Sequence, residues 1–194
     1  HEVAVIEALR AGKNVLPKSL RKKMESRALK MAEWLYVNLD EFNPAHINYS
    51  ATNGYALALA GNYFKNEKYL SQAKHLIDYA MKHFTDNGVL FGECTPHDAI
   101  SDKKCRGIDI GYNMEESIPA IVKYAYEVGD EELKDRLEKI LLKNLIFMFP
   151  DGGIDNSFGN RNYKWTYWGS RTSDGCATGL LLMADRNPVF QEAA

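Results

Sequence analysis

Two long segments of the chain carry apolar residues at helical spacing. In both, apolar residues recur mainly at intervals of three and four, first at Leu70, Ala73, Leu76, Ile77, Ala80 and Phe84, then at Leu133, Leu137, Ile140, Leu141 and Leu145. This spacing gathers the apolar side chains into one stripe on a helix that is otherwise polar. Both segments are therefore predicted to be amphipathic outer helices packed against a core.

A more uniformly apolar run precedes each outer helix. Residues 55–60, 118–125 and 179–184 are rich in alanine, leucine and isoleucine, which predicts buried inner helices. The outer helices start at Asn66, Asp130 and Asn187, residue types that favour helix N-caps. The unit is thus an inner helix, a short turn, an outer helix and a long loop.

Starts that are 64 and 57 residues apart indicate a stacked or ring-shaped array of helix pairs. An earlier outer helix is predicted from Ser19 to Leu39, with residues 1–18 as a lead-in segment and 19–194 as a partial α/α-toroid domain. The third outer helix has barely begun at Ala194. Since a helix pair cannot bury its faces alone, we expect the fold to be all-α and to belong to a larger barrel, completed by the rest of the same polypeptide or by a second chain.

This alternation, together with the loops GVLFGE (88–93) and PDGGIDNSFG (150–159), resembles the α/α toroids of carbohydrate-active enzymes. These include heparinase II/III-like and alginate-lyase-like polysaccharide lyases, and hydrolases that cleave unsaturated uronyl sugars. The resemblance implies that the loops from outer to inner helices, 85–111 and 150–174, meet at one rim around a central cleft. The implied partner is a polysaccharide or oligosaccharide.

Composition narrows the class of partner only a little. The net charge is −2 over 194 residues, and no apolar run reaches the length of a membrane helix, so neither nucleic acid nor a membrane is expected as a partner. Cys94 and Cys105 share one polar loop and could form a disulfide in an exported protein, and three free thiols, with Cys176, are an equal alternative. A periplasmic or secreted location is the expectation.

The loop from 155 to 175 combines aromatic rings with charges and amides and has no secondary-structure period. Sugar sites use flat aromatic platforms surrounded by hydrogen-bonding groups, and arginine can hold a carboxylate by a bidentate pair. The candidate substrate-binding residues of this loop are Arg161, Trp165, Tyr167, Trp168, Arg171 and Asp174. The alternative is that some of these rings pack beneath the loop as a small second core.

The other loop places titratable residues ahead of an inner helix expected to start near Met114. Its candidates are Glu93 for substrate binding and His97, Asp109, Tyr112 and Asn113 for catalysis. No cofactor is expected. No metal site is expected either, because His97 with Asp98 or Glu93 supplies few ligands, and because His75 and His83 are predicted to be dispersed and partly exposed on the first outer helix.

Two chemistries fit these residue types. In β-elimination an asparagine, arginine or acid neutralises the uronate, a tyrosine or histidine removes the C5 proton, and a tyrosine protonates the leaving oxygen. In hydrolysis two carboxylates would flank the bond, with Asp109, Glu93, Asp155 and Asp174 as candidates. A non-catalytic scaffold that binds glycans or proteins through the aromatic rim is the third possibility.

Overall fold

The structure of the chain is a computed structural model that describes residues 1–39, 46–93, 95–155 and 176–194. These ranges contain helices and no β-strand, which confirms the predicted all-α fold of the α/α-toroid type. The helices are α1 (Glu2–Ala11), α2 (Lys18–Asn38), α3 (Ile47–Phe64), α4 (Glu67–Met81), α5 (Ile110–Tyr112), α6 (Ile118–Val128), α7 (Glu131–Asn144), α8 (Cys176–Leu182) and α9 (Pro188–Ala193). A π-helical turn (Asn113–Ser117) joins α5 to α6, and a 3-10 turn (Leu145–Phe147) follows α7.

The three residues predicted as N-caps of outer helices each cap one through the side chain, whereas the earlier outer helix, α2, follows Pro17 and has no side-chain cap. Asn66, Asp130 and Asn187 accept a hydrogen bond from a backbone N–H of the first turn, at 3.0, 2.9 and 3.2 Å. A capping side chain satisfies one of the N–H groups that have no partner within the helix. The starts of α4, α7 and α9 are therefore fixed by local chemistry.

The inner helices lie deepest in the fold. Residues 54–61 of α3 are all buried, whereas α4 buries one stripe that includes Leu76 and Ile77. α3 and α4 approach closely, because a Cβ at Gly54 would lie 2.8 Å from the Ile77 side chain and one at Gly61 would lie 2.7 Å from Leu70. The pair α6 and α7 repeats this division, since most of α6 is buried and α7 buries mainly one face.

The first helix, α1, lies within the segment predicted as a lead-in and packs into the same core. Ile6 and Leu9 are fully buried. Arg10 donates to both carboxylate oxygens of Glu127 at 2.6 and 2.8 Å, and Asn62 donates to the same carboxylate at 2.7 Å. Burial by itself would raise the pKa of Glu127, but the hydrogen bonds from Arg10 and Asn62 outweigh it and hold the pKa below its usual value. This cluster ties α1 to α3 and α6.

A tight turn with the same hydrogen bonds follows each of α4 and α7. One is closed by the antiparallel bridge Phe84–Leu90 and the other by Met148–Ile154. Each turn contains a glycine in the left-handed region, Gly88 (φ 77°) in the first and Gly152 (φ 86°) in the second. The helix-pair repeat thus extends into the first residues of the loops. No helix within the described ranges is long and apolar enough to cross a lipid bilayer.

Candidate functional site

After the first of these turns, residues 91–93 cross the N-terminal end of α3. The backbone N–H of Ile47 donates to the carbonyl of Gly92 at 2.9 Å, and Gly92 N–H donates to Gly107 at 2.7 Å. Gly92 has a φ of 101°, and a Cβ there would lie 3.1 Å from both Ile47 and His83, so the position requires glycine. This crossing places the side chain of Glu93 beside the first turn of α3.

Glu93, a predicted substrate-binding residue, is fully buried and acts on that first turn. One carboxylate oxygen accepts the backbone N–H of Asn48 at 3.0 Å, and the other lies 3.2 Å from Nδ1 of His46. The side chain of His46 is 36% exposed, so the imidazole lies at the surface and its Nδ1 faces the buried carboxylate. A carboxylate in this position fixes the ring orientation and the tautomer of a histidine.

Asn48 links this dyad to Tyr112, a predicted catalytic residue. The amide nitrogen of Asn48 donates to the Tyr112 hydroxyl at 3.2 Å. Asn48 is 8% exposed, and its amide oxygen is buried without a hydrogen-bond partner among the described residues. A buried acceptor in that state costs free energy unless a ligand or water donates to it. The first turn of α3 therefore brings His46, Asn48, Glu93 and Tyr112 into one connected cluster.

Tyr112 lies on α5, because the inner helix begins before the predicted position at Met114. Asp109 caps it: its carboxylate accepts the backbone N–H of Tyr112 at 3.2 Å, and Asp109 is 6% exposed. The π-helical turn then carries the chain into α6. Since π turns accommodate an extra residue, this one sets how Tyr112 is oriented relative to the buried face of α6.

Asn113, the neighbouring candidate, is 2% exposed and supports the loop. Its amide nitrogen donates to the carbonyl of Leu90 at 2.9 Å, and its amide oxygen accepts from the Ser117 hydroxyl at 3.2 Å. Both atoms of the amide thus have partners in the protein. The side chain holds the turn at Leu90 against the π-helical turn.

His97 lies in a second cluster, on the other side of Gly92, together with Asp98 and His83. The prediction that His83 is partly exposed and remote from His97 is wrong. α4 ends at Met81, so His83 follows the helix, turns inward and is 5% exposed. His83 Nε2 lies 2.5 Å from Asp98, and His97 Nδ1 lies 3.0 Å from the same carboxylate. Burial by itself would raise the pKa of Asp98, but hydrogen bonds from His83 and His97 outweigh it and lower the pKa.

The aromatic loop lies outside the described residues, as does Cys94. Its six substrate-binding candidates, Arg161, Trp165, Tyr167, Trp168, Arg171 and Asp174, therefore stay predictions. Asp155, at the edge of this loop, is described, and its backbone N–H donates to Phe147 at 2.7 Å.

His46 and Asn48 were not among the predicted site residues, and His46 was expected to be dispersed from the other histidines. His46 immediately precedes the apolar inner helix α3, and Asn48 lies in its first turn. Each contacts a site residue that is 45 or more positions away in sequence. One signal was present, since polar residues at 46, 48, 50, 52 and 53 interrupt the start of a helix that is otherwise apolar. A cavity of about 800 Å³ begins one turn further along α3 and is lined by residues that include Thr52, Trp34 and Arg27.

Residues 1–194 match the family model described as "Ulvan lyase N-terminal domain", and the chain belongs to this family of polysaccharide lyases. The chain is also 38% identical, over 196 residues, to the "Broad-specificity ulvan lyase" of Formosa agariphila. That alignment covers 99% of this chain and 30% of the relative, so the chain spans about a third of the relative's length. No solved structure matches the chain. The predicted kinship with polysaccharide lyases is thus confirmed in kind, and the narrower heparinase-like and alginate-lyase-like resemblances are not.

Proposed function

We propose that the protein containing this chain cleaves ulvan or a similar uronate-containing polysaccharide by β-elimination. The observation that carries the proposal is the first turn of α3, where His46, held by the buried Glu93, adjoins Asn48, whose amide contacts the hydroxyl of Tyr112. The family and the name of the relative, a broad-specificity ulvan lyase, support the substrate class.

In the proposed reaction, His46 or Tyr112 takes the proton from C5 of the uronate, the C4–O bond breaks, and a double bond forms between C4 and C5. The electron pair of the C5–H bond enters that double bond, and the pair of the C4–O bond stays with the leaving oxygen. Tyr112 then supplies a proton to this oxygen. The second N–H of the Asn48 amide, which the contact with Tyr112 does not use, stabilises the negative charge that develops next to C5.

The contacts of two of the four acidic candidates, Glu93 and Asp109, disfavour their use as the paired carboxylates of a hydrolase. Glu93 is fully buried and engaged with His46 and Asn48, and Asp109 caps α5. Neither carboxylate is placed to protonate a glycosidic oxygen or to activate a water, which a hydrolase requires of both. A histidine oriented by a buried carboxylate also favours catalysis over a scaffold that only binds glycans.

The remaining candidates take supporting roles in this proposal. Arg161 and Arg171 hold the uronate carboxylate from the aromatic loop, Trp165, Tyr167 and Trp168 stack on the sugars, and Asn113 fixes the loop behind Tyr112. The polypeptide beyond this chain completes the cleft. A polymer of this size is encountered outside the cytoplasm, so a periplasmic or secreted location is part of the proposal.

The test uses the full-length protein and a panel of ulvan, alginate and a neutral polysaccharide, and measures the ultraviolet absorbance of unsaturated products. We expect absorbance to rise with ulvan and not with the neutral polymer. Tyr112→Phe should lower kcat by about 10²- to 10⁴-fold, the usual contribution of an acid or base. Tyr126→Phe is the matched control, because Tyr126 lies near the C-terminal end of α6 and its hydroxyl donates to Asp185 at 2.7 Å.

Reducing ends that appear without unsaturated products would replace this proposal with the hydrolase. Binding of ulvan without any cleavage would replace it with the glycan-binding scaffold. Equal activities of the Tyr112 and Tyr126 variants would remove Tyr112 from the reaction.

A further inference from the structure

Two histidines and an aspartate meet at the start of the loop that leads to the candidate site. The ligand atoms that His83, His97 and Asp98 offer all lie within 4.8 Å of one another. They come from two separate pieces of chain, the residues just after α4 and the loop at 95–98. His83 is buried, His97 is mostly buried, and the Asp98 side chain is 60% exposed.

The hydrogen bonds of His83 leave one ring nitrogen suited to a cation. Its Nδ1 lies 3.0 Å from the carbonyl oxygen of Tyr79, and because a carbonyl can only accept, Nδ1 carries the proton. Nε2 then faces an oxygen of Asp98 at 2.5 Å. With a neutral imidazole, two acceptors would face each other at this distance. The Nε2 lone pair and the carboxylate thus converge on one point, as two ligands of a shared cation do, and a slight separation of the two atoms would admit the ion.

We propose that His83, His97 and Asp98 bind a divalent transition metal of the zinc type. Two imidazoles and a carboxylate form a known ligand set for zinc with one position left for water. A ligating histidine commonly donates its other ring N–H to a backbone carbonyl, as His83 does to Tyr79. The Tyr79 hydroxyl also donates to both oxygens of Asp98, at 3.3 and 3.2 Å, which is the support expected around a ligating carboxylate.

The metal would fasten the loop at 95–98 to the end of α4. A Cβ at Gly92 would lie 3.1 Å from His83 and 3.5 Å from His97, so the backbone leading into Glu93 runs against both imidazoles. The ion is therefore structural and holds the segment that positions Glu93. This inference does not depend on the proposed β-elimination, and it departs from the expectation, drawn from sequence, of no metal.

The test compares four forms of the full-length protein: wild type, His97→Asn, Asp98→Asn and His75→Asn. His75 is the matched control because it is an exposed histidine on α4. The proteins carry no histidine tag, are stripped with a chelator, and are titrated with Zn²⁺ in competition with a chromophoric chelator. Co²⁺ is then added to each, and its visible spectrum is recorded.

We expect wild type and His75→Asn to bind one more equivalent of Zn²⁺ than His97→Asn and Asp98→Asn. Their Co²⁺ spectra should include a tetrahedral component that the two ligand variants lack, and Zn²⁺ should raise the melting temperature of the first two proteins only. Equal stoichiometry and equal spectra for all four forms would overturn the proposal and leave two histidines hydrogen-bonded to Asp98.

Anomalous diffraction from wild-type crystals grown with Zn²⁺ tests the site without any substitution. A peak within bonding distance of His83, His97 and Asp98 is expected, at about 2.0–2.2 Å from nitrogen and oxygen ligands. Anomalous peaks for zinc at other positions, with no peak at His83, His97 and Asp98, would reject the proposal. This result would hold even if a ligand variant failed to fold.

Discussion

Replacing Glu93 by glutamine preserves the shape of a fully buried side chain, removes its charge and exchanges one acceptor oxygen for a donor NH₂ group. The glutamine carbonyl can still accept the N–H of Asn48, which Glu93 binds at 3.0 Å. Its NH₂ group would then face Nδ1 of His46, where a carboxylate oxygen now lies at 3.2 Å. Because NH₂ is a donor, Nδ1 would have to accept, and the ring proton would move to Nε2.

The cost to the reaction can be worked from that single contact. A hydrogen bond to a charged group contributes about 1.5–3 kcal/mol, which corresponds to a decrease of roughly 10- to 150-fold in kcat/KM if all of it is lost in the transition state. A larger loss, up to about 10⁴-fold, follows if His46 is the base and the wrong tautomer is present. The melting temperature should change little by comparison, since the bond to the helix N-terminus is retained.

The assay is the rate of unsaturated product formation from ulvan by the full-length wild type, Glu93→Gln, His46→Gln and the double variant. If Glu93 acts through His46, the Glu93 substitution should have little further effect once His46 is replaced. Independent, multiplicative losses from the two substitutions would refute the dyad. Activity of Glu93→Gln within twofold of wild type would show that the carboxylate only caps α3.

Three further predictions concern stability and binding. Arg10→Met should destabilise the protein by about 1–2 kcal/mol in urea unfolding at pH 7, a value reduced because the guanidinium is a third exposed. The pKa of Glu127 is lower in the folded protein than in the unfolded chain, where it is near 4.5. The stability that the Arg10–Glu127 pair contributes should therefore be complete above pH 4.5 and should vanish as the pH falls through the folded-state pKa. A difference in unfolding free energy between wild type and Arg10→Met that stayed constant down to pH 2 would contradict this. Asn66→Ala should cost about 1 kcal/mol through the lost cap of α4, seen as a lower melting temperature, whereas Asn66→Gly should cost only a few tenths. Arg171→Ala should weaken binding of an acidic oligosaccharide by roughly 1.5–3 kcal/mol in calorimetry. An equal loss with a neutral oligosaccharide would instead favour the alternative that the rings of its loop pack as a small second core.

The parts of the fold that local chemistry determines were predictable from the sequence. Asn66, Asp130 and Asn187 could be recognised because an N-cap and its helix are neighbours in sequence, and the apolar stripes of α4 and α7 follow from spacing alone. α1 was harder to place, because its cluster depends on Glu127, 117 residues from Arg10.

Only part of the candidate site could be predicted from the sequence. Tyr112 and Glu93 belong to a loop whose composition is unusual, whereas His46 and Asn48 become part of the site only when residues 91–93 cross the end of α3. His83 was misplaced because a stripe shows that a helix exists but does not show where it ends. α4 ends at Met81, two residues before His83, and the imidazole of His83 therefore points into the protein interior.

The π-helical turn at Asn113–Ser117 has a consequence for how the site could change over time. A residue in an α-helix advances about 100° around the axis, so deleting one residue from this turn would rotate Tyr112 by about that angle while Ile118 and Ile121 kept their packing. The number of residues in this turn thus sets the orientation of the tyrosine, and the buried side chain of Ile110 would turn with it. An insertion or deletion in the turn could therefore redirect the hydroxyl only where the pockets of Ile110 and Asn113 were rebuilt at the same time, which makes the length of this turn a constraint on the evolution of the site.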